Sequence, residues 1–178
     1  MDRFATAIKK SLEVNNWYSA LYLALTMPDI CARLESENGK TSGQKYASWF
    51  DRYMLHKYQS NMGANRAPHI FLSGNDCYAL RCAILHEGAA DITMQRCREA
   101  LDRFHFTVVG SHCNQFHSVL QLDVPVFCSD ICESIESWLI DFSRDHPDKQ
   151  NRLLELLTIH VGTHTMDGIV SFGDGRTP

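Results

Sequence analysis

The sequence predicts an α+β domain that is mainly α, a helical bundle with a small C-terminal β-hairpin and helix, all in one domain over residues 1–178. Three observations predict it. Apolar residues recur at spacings of three and four through most of the chain, which marks helices with one buried face. One short stretch, Phe104 to Val108, alternates apolar and polar residues instead, as a strand does. And 44% of the residues are hydrophobic against 21% charged, a balance that lets a chain of this length bury a core without disulfides or a metal. Residues 1–90 are expected to form the bundle core, and 91–178 the hairpin and the C-terminal helices.

The elements follow in order. Phe4, Ile8 and Leu12 stand four apart, a helical stripe. Asn15 and Asn16 break it or cap the next helix. Trp17 to Leu25 is apolar nearly all round, as suits the centre of a bundle. Pro28 fits the first turn of a following helix, with Ile30 and Leu34 continuing the inward face. Glu35 to Gly43 is a polar loop. Tyr46, Trp49, Phe50, Tyr53, Met54 and Lys57 then mark an amphipathic helix, whose aromatics have core spacing rather than that of base-stacking platforms. Asn61 to Pro68 reads as loop by composition. Ser73, with Asp76 three residues on, resembles a capping box, and Gly88 suits the residue just past a helix end, so a helix is expected over Gly74–Glu87. Phe104–Val108 and Val119–Val124 are expected to pair as a hairpin. Phe127, Ile131, Ile135, Trp138, Leu139 and Phe142 mark a helix stopped by Pro147, and Asn151–Leu157 a further short one. The tail after Gly162 reads as loose or as a short strand.

Charge and cysteine usage bound the partners and the compartment. A net charge of −4 argues against a protein wrapped in nucleic acid. The charge is uneven, however. Lys40, Lys45, Arg52, Lys57 and Arg66 face Asp51 alone, a local net of +4 that reads either as a patch for a phosphate backbone or as solvated surface charge. The seven cysteines are odd in number and several fall inside helical patterns, so they read as reduced thiols of a cytoplasmic protein. Lys9, Lys10 and Glu13 interrupt any apolar leader, and no run approaches the ~18–20 apolar residues of a membrane span. No membrane partner is expected.

One segment carries a chemical signal. With about 100° per residue, Cys77, Leu80, Ala83, Ile84 and Leu85 form an apolar arc, and Arg81 falls inside it. A charge on packed surface needs a partner, and Asp29 and Glu35 are the candidates. His86 lies about 140° from Arg81, so on a regular helix the two are not expected to touch unless the helix distorts near Gly88 or a second subunit supplies the other half. The run Arg81-Cys82-Ala83-Ile84-Leu85-His86 resembles the Arg-x4–6-His signature of the HEPN superfamily. That resemblance implies a helical bundle, a homodimer, and a metal-independent endoribonuclease whose active site forms across the dimer interface, with RNA or a nucleotide as partner and no cofactor. Carried onto this chain, it implies that Arg81 clamps the phosphate and His86 is the acid/base, with Asp29, Tyr78, Cys82 and Glu87 in support. Glu87 would orient His86, and Tyr78, two turns earlier, would stack on a base or simply pack. Cys82 departs from the polar residue, often Asn, that follows the Arg in many catalytic members. Met27–Cys31 and Asn75–Cys82 also resemble stretches of an uncharacterised family of bacterial proteins, which brings no function with it. The competing reading makes Arg81 a structural ion-pair residue and His86 a cation at a helix C-terminus. The domain would then be non-catalytic, binding a nucleotide, a nucleic acid or another protein.

Other constellations are weaker. His112, Cys113 and His117 cluster near a turn and His160 and His164 are four apart, but no Cys-x2-Cys announces zinc, so no metal is expected. Cys82 and His86 could be neighbours on a helix surface, and a thiol beside Arg or His is acidified, but free cysteine is most often a small buried hydrophobe. Gly162–Gly175 lacks a phosphate-loop ending, and no nucleophile elbow is present.

Overall fold

The computed structural model describes residues 1–63, 65–160, 164–166 and 169–171, the last two segments as backbone. Five α-helices are present among the described residues: α1 (Asp2–Glu13), α2 (Trp17–Glu35), α3 (Gly43–Tyr53), α4 (Gly74–Glu87) and α5 (Val124–Asp145). The strands are β1 (Gln59–Met62), β2 (Ala67–Ile70), β3 (Arg103–Thr107), β4 (Asn114–Phe116), β5 (Val119–Asp123), β6 (His164–Met166) and β7 (Ile169–Ser171). The mainly α, α+β class predicted from the sequence is therefore the class observed. Among the described residues no helix is long and apolar enough to cross a membrane.

The helices begin and end where their caps dictate. Asn16 accepts from the Ser19 N–H to start α2, and Ser42, Ser73 and Asp123 do the same for α3, α4 and α5. Gly88, at φ 65°, closes α4 in the left-handed conformation. The capping box at Ser73 is only half made. The Asp76 side chain turns away to accept from the backbone N–H groups of Glu99 (2.6 Å) and Ala100 (3.1 Å), tying the segment after α4 to the start of the helix.

Pro28 does not begin a helix. It lies inside α2, one continuous helix of 19 residues. The missing N–H leaves the Ala24 carbonyl without its helical donor, and packing against α1, α3 and α5 holds the helix continuous through this point. The bundle also extends beyond residue 90. Helix α5 packs along α2 and α1, and one apolar core runs from Ala5 to Leu156. The expected helix over Asn151–Leu157 is instead a 3₁₀ turn at Pro147–Leu153. This turn serves the C-terminal end of α2: Lys149 donates to the Glu35 carbonyl (2.8 Å), and Arg152 to those of Leu34 (2.9 Å) and Ser36 (2.5 Å). These are orphan acceptors of a helix end, where cations are favoured.

Helices α3 and α4 approach so closely that Gly74 is required. A Cβ there would fall on the Ala47 carbonyl and lie 2.7 Å from the Ala47 Cα. The Gly74 N–H also donates to Asp51 (2.8 Å). Gly74→Ala is expected to destabilise the fold by about 3 kcal/mol, because backbone must move to admit the methyl group. Chemical denaturation would show it, and a cost below ~0.5 kcal/mol, the range of indifferent surface changes, would contradict the close crossing.

The expected hairpin of Phe104–Val108 with Val119–Val124 is not formed. Strands β3 and β5 pair in parallel, Phe104 beside Leu120 and Phe106 beside Leu122, and β4 pairs antiparallel with the far edge of β5, giving the order β3-β5-β4. Alternation reports which face is buried, and it is the same for either strand direction. A second hairpin, β1–β2, spans the stretch Asn61–Pro68 read as loop and extends two residues beyond it at each end. Its side chains are nearly all exposed, so it carries no apolar alternation. The tail forms a third pair, β6–β7.

His112 joins the small sheet to α5. Its Nδ1 accepts from the Asp123 N–H (3.1 Å), while the buried Asp123 carboxylate accepts from Gly110 and Val126. The ring packs edge-on against Tyr58 and its Nε2 is buried without a partner. Burial lowers the His112 pKa below its ordinary value near 6.5, outweighing the opposing pull of Asp130 and Asp123. A histidine depressed in the folded state binds its proton more readily when unfolded. Its contribution to stability is complete above pH ~6.5 and is lost as the pH falls toward the depressed value, by up to about 1.4 kcal/mol per pH unit. His112→Asn, which keeps an acceptor near the Nδ1 position, is expected to flatten stability between pH 7 and 5; an unchanged pH profile would assign the acid sensitivity elsewhere.

Candidate functional site

Helix α2 supplies Asp29, and α4 supplies Arg81 and His86. The Arg81 Nε donates to Asp29 Oδ2 at 2.8 Å, so Asp29 is the partner that the apolar arc demanded. Glu35, the other candidate, accepts instead from the Trp138 indole N–H (2.6 Å). Thr41 donates to the second oxygen of Asp29 (3.2 Å), fixing the carboxylate from the loop before α3. The Arg81 and Asp29 side chains are 22% and 13% exposed, so the pair sits at the edge of the core with one side open to solvent. Burial opposes the charge on Arg81, but the Asp29 carboxylate and the contact with Cys82 more than offset it and raise the Arg81 pKa.

Arg81 and His86 meet within one chain, contrary to the expectation from their angular separation. Arg81 Nη1 lies 3.2 Å from His86 Nε2. The wheel places Cβ atoms, whereas an arginine reaches several ångströms beyond its own. Side chains on a helix also lean toward its N-terminus, which carries His86 back over the turn that holds Arg81. Neither a helix distortion nor a second subunit is needed for this contact. A guanidinium has donors only, so a hydrogen bond in this contact requires Nε2 to accept, with the ring proton on Nδ1. Nη2 takes part in neither contact.

The remaining expected residues sort clearly. Tyr78 packs against the buried Tyr46 ring, with centroids 5.3 Å apart, and interacts with Cys82; burial and then that contact raise its hydroxyl pKa. Cys82 is half-buried and touches the Arg81 side chain as well. The Glu87 carboxylate accepts from Gln95 (3.0 Å). Cys77 is fully buried and its thiol is pushed up to about 12, which leaves no thiolate near neutral pH.

Part of the basic stretch is neutralised in place. Lys57 pairs with Asp130 (2.7 Å) and Glu133 on α5, and Arg52 with Asp141 (3.4 Å). Lys45 is held by the Ser36 hydroxyl (2.5 Å) and the Lys40 carbonyl (2.9 Å). Among the described residues no three His, Cys, Asp or Glu side chains are grouped to hold a metal. His112 and Cys113 face the packed side of the small sheet, His117 is exposed at a turn, and the His164 side chain lies outside the described residues. The sequence reading missed Thr41. A threonine in a polar loop carries no signal until the fold brings it to Asp29.

Comparison with family models, curated proteins and solved structures finds no match to this chain.

Proposed function

We propose that Asp29, Arg81 and His86 form a metal-independent endoribonuclease centre in a HEPN-like, cytoplasmic homodimer. The observation that carries the reading is the 3.2 Å approach of a histidine ring nitrogen to a guanidinium already oriented by a carboxylate. A phosphodiester docked on the Nη edge of Arg81 would lie beside His86 Nε2. His86 would take the proton from a ribose 2′-hydroxyl as that oxygen bonds to phosphorus, and the bond to the 5′-oxygen would break. Arg81 would stabilise the charge gathering on the non-bridging oxygens. The proton returns to the departing 5′-oxygen, leaving a 2′,3′-cyclic phosphate and a 5′-hydroxyl.

A second reading rests on the Asp29–Arg81 contact itself, which would hold α2 against α4 in a non-catalytic domain that binds a nucleotide, a nucleic acid or a protein. RNA cleavage in EDTA separates the two. Cyclic phosphate ends, lost in folded Arg81→Ala and His86→Ala variants by about 10²–10⁴-fold, are expected of the ribonuclease. No cleavage of varied RNAs, with Arg81→Ala destabilised and His86→Ala neutral, would leave the structural reading.

A further inference from the structure

The segment between α4 and β3 runs back along α4 as a strap, anchored at both ends. At the C-terminal end of the helix Gln95 donates to Glu87 (3.0 Å). At the N-terminal end Asn75 donates to Glu99 (2.7 Å), and Asp76 accepts from the Glu99 and Ala100 N–H groups. Asn75, Ala79, Ala83 and Glu87 are four apart and form one stripe on the helix. Its two alanines are fully buried, small enough to let the strap lie close. Cys97 lies on the strap between the anchors, two residues from Gln95, which meets Glu87, and two from Glu99, which meets Asn75 and Asp76. Cys82 adjoins the same stripe, three residues after Ala79 and next to Ala83.

Both cysteines are half-buried, unlike the fully buried Cys31, Cys77, Cys128 and Cys132. Burial and then the neighbouring Cys82 raise the Cys97 thiol. Cys82 in turn touches both the Arg81 and the Tyr78 side chains.

We propose that Cys82 and Cys97 are a modification site, a thiol pair that closes to an intrachain disulfide on reaction with a small-molecule disulfide such as oxidised glutathione. The Cys82 thiolate, beside the Arg81 guanidinium, attacks one sulfur of the oxidant and releases one thiolate of glutathione. The Cys97 thiolate then attacks the Cys82 sulfur of the mixed disulfide and releases the second. The two cysteines lose two electrons and two protons, and the oxidant becomes two thiols. Closure draws the Cys82 sulfur toward the strap and away from Arg81. Its effect on activity rests on the ribonuclease reading: RNA cleavage falls by about a hundredfold, the size of effect that a misplacement of about 1 Å at a reacting group produces.

The test uses the full chain, incubated with oxidised glutathione and digested without reduction. Mass spectrometry is expected to find the peptides of Cys82 and Cys97 joined in wild type and in Cys113→Ser, and not in Cys97→Ser. RNA cleavage is expected to fall on oxidation and return with dithiothreitol in wild type; Cys97→Ser lacks the resolving thiol, so its Cys82 is expected to keep the glutathione adduct until dithiothreitol removes it. In wild type, persistent glutathione adducts without the link, or a link that joins other cysteines, overturns the proposal. A correct link in a protein that cleaves no RNA when reduced overturns the ribonuclease reading and leaves the thiol pair standing.

Discussion

Trp138→Ala is expected to destabilise the fold by about 5 kcal/mol, the upper end of the range for removing a large buried aromatic side chain. Trp138 is fully buried in α5 and stacks on Phe142, with ring centroids 4.9 Å apart. It sits where α5 crosses the end of α2, so the cavity would open between two helices that other contacts also clamp and that have little freedom to collapse. The indole N–H also donates to Glu35 (2.6 Å), a hydrogen bond to a carboxylate that disappears with the ring. A loss of that size is a large share of the ~5–15 kcal/mol that keeps a domain folded. For a chain of this length it lowers the melting temperature by roughly 10–20 °C. Trp138→Phe separates the two contributions. It keeps most of the volume and loses the donor together with the five-membered ring, so its expected cost is about 1–3 kcal/mol. Equal costs for the two variants in urea titrations would mean that the hydrogen bond, not the packing, is what Trp138 supplies.

Which features the sequence disclosed follows from the physics each one obeys. The apolar stripes of α1, α3 and α5 and the caps at Asn16, Ser73 and Gly88 act within a few residues, and the chain spells them out locally. Arg81 on an apolar arc is also local, because the need for a partner is written in its position. What the sequence concealed depends on tertiary context. Pro28 is a helix breaker in isolation, and only packing around α2 keeps it in mid-helix. Strand direction in β3 and β5 is invisible to alternation. The hairpin β1–β2 leaves no apolar mark because both its faces are exposed. The Arg81–His86 contact was hidden for another reason: a helical wheel treats side chains as short, and arginine is not. Thr41, Gln95 and Glu99 enter through loops whose course no periodicity reports.

Removing the Asp29 carboxylate is expected to act on stability and chemistry together, and a double-mutant cycle divides them. Asp29→Ala leaves the Arg81 guanidinium at the core edge without its counter-charge. Breaking a fully buried pair from one side costs about 3–5 kcal/mol. Arg81 is about a fifth exposed and retains His86 and solvent, so about 2 kcal/mol is expected here. Arg81→Met keeps the apolar stem against the core and strands Asp29 instead, whose remaining contact is the Thr41 hydroxyl. The Asp29→Ala/Arg81→Met double variant removes both charges, and it is expected to be more stable than the sum of the single losses by about 1–2 kcal/mol. That coupling measures how firmly the pair joins α2 to α4, whatever the protein does. Catalysis adds a second, separable expectation. If Asp29 orients the guanidinium, Asp29→Asn keeps an acceptor for Nε but lacks the charge, and RNA cleavage should fall by roughly tenfold to a hundredfold with little loss of fold. Asp29→Asn with wild-type cleavage would remove Asp29 from the site and leave it purely as the helix tie; Asp29→Asn folded and inactive would make the carboxylate the residue through which Arg81 is aimed.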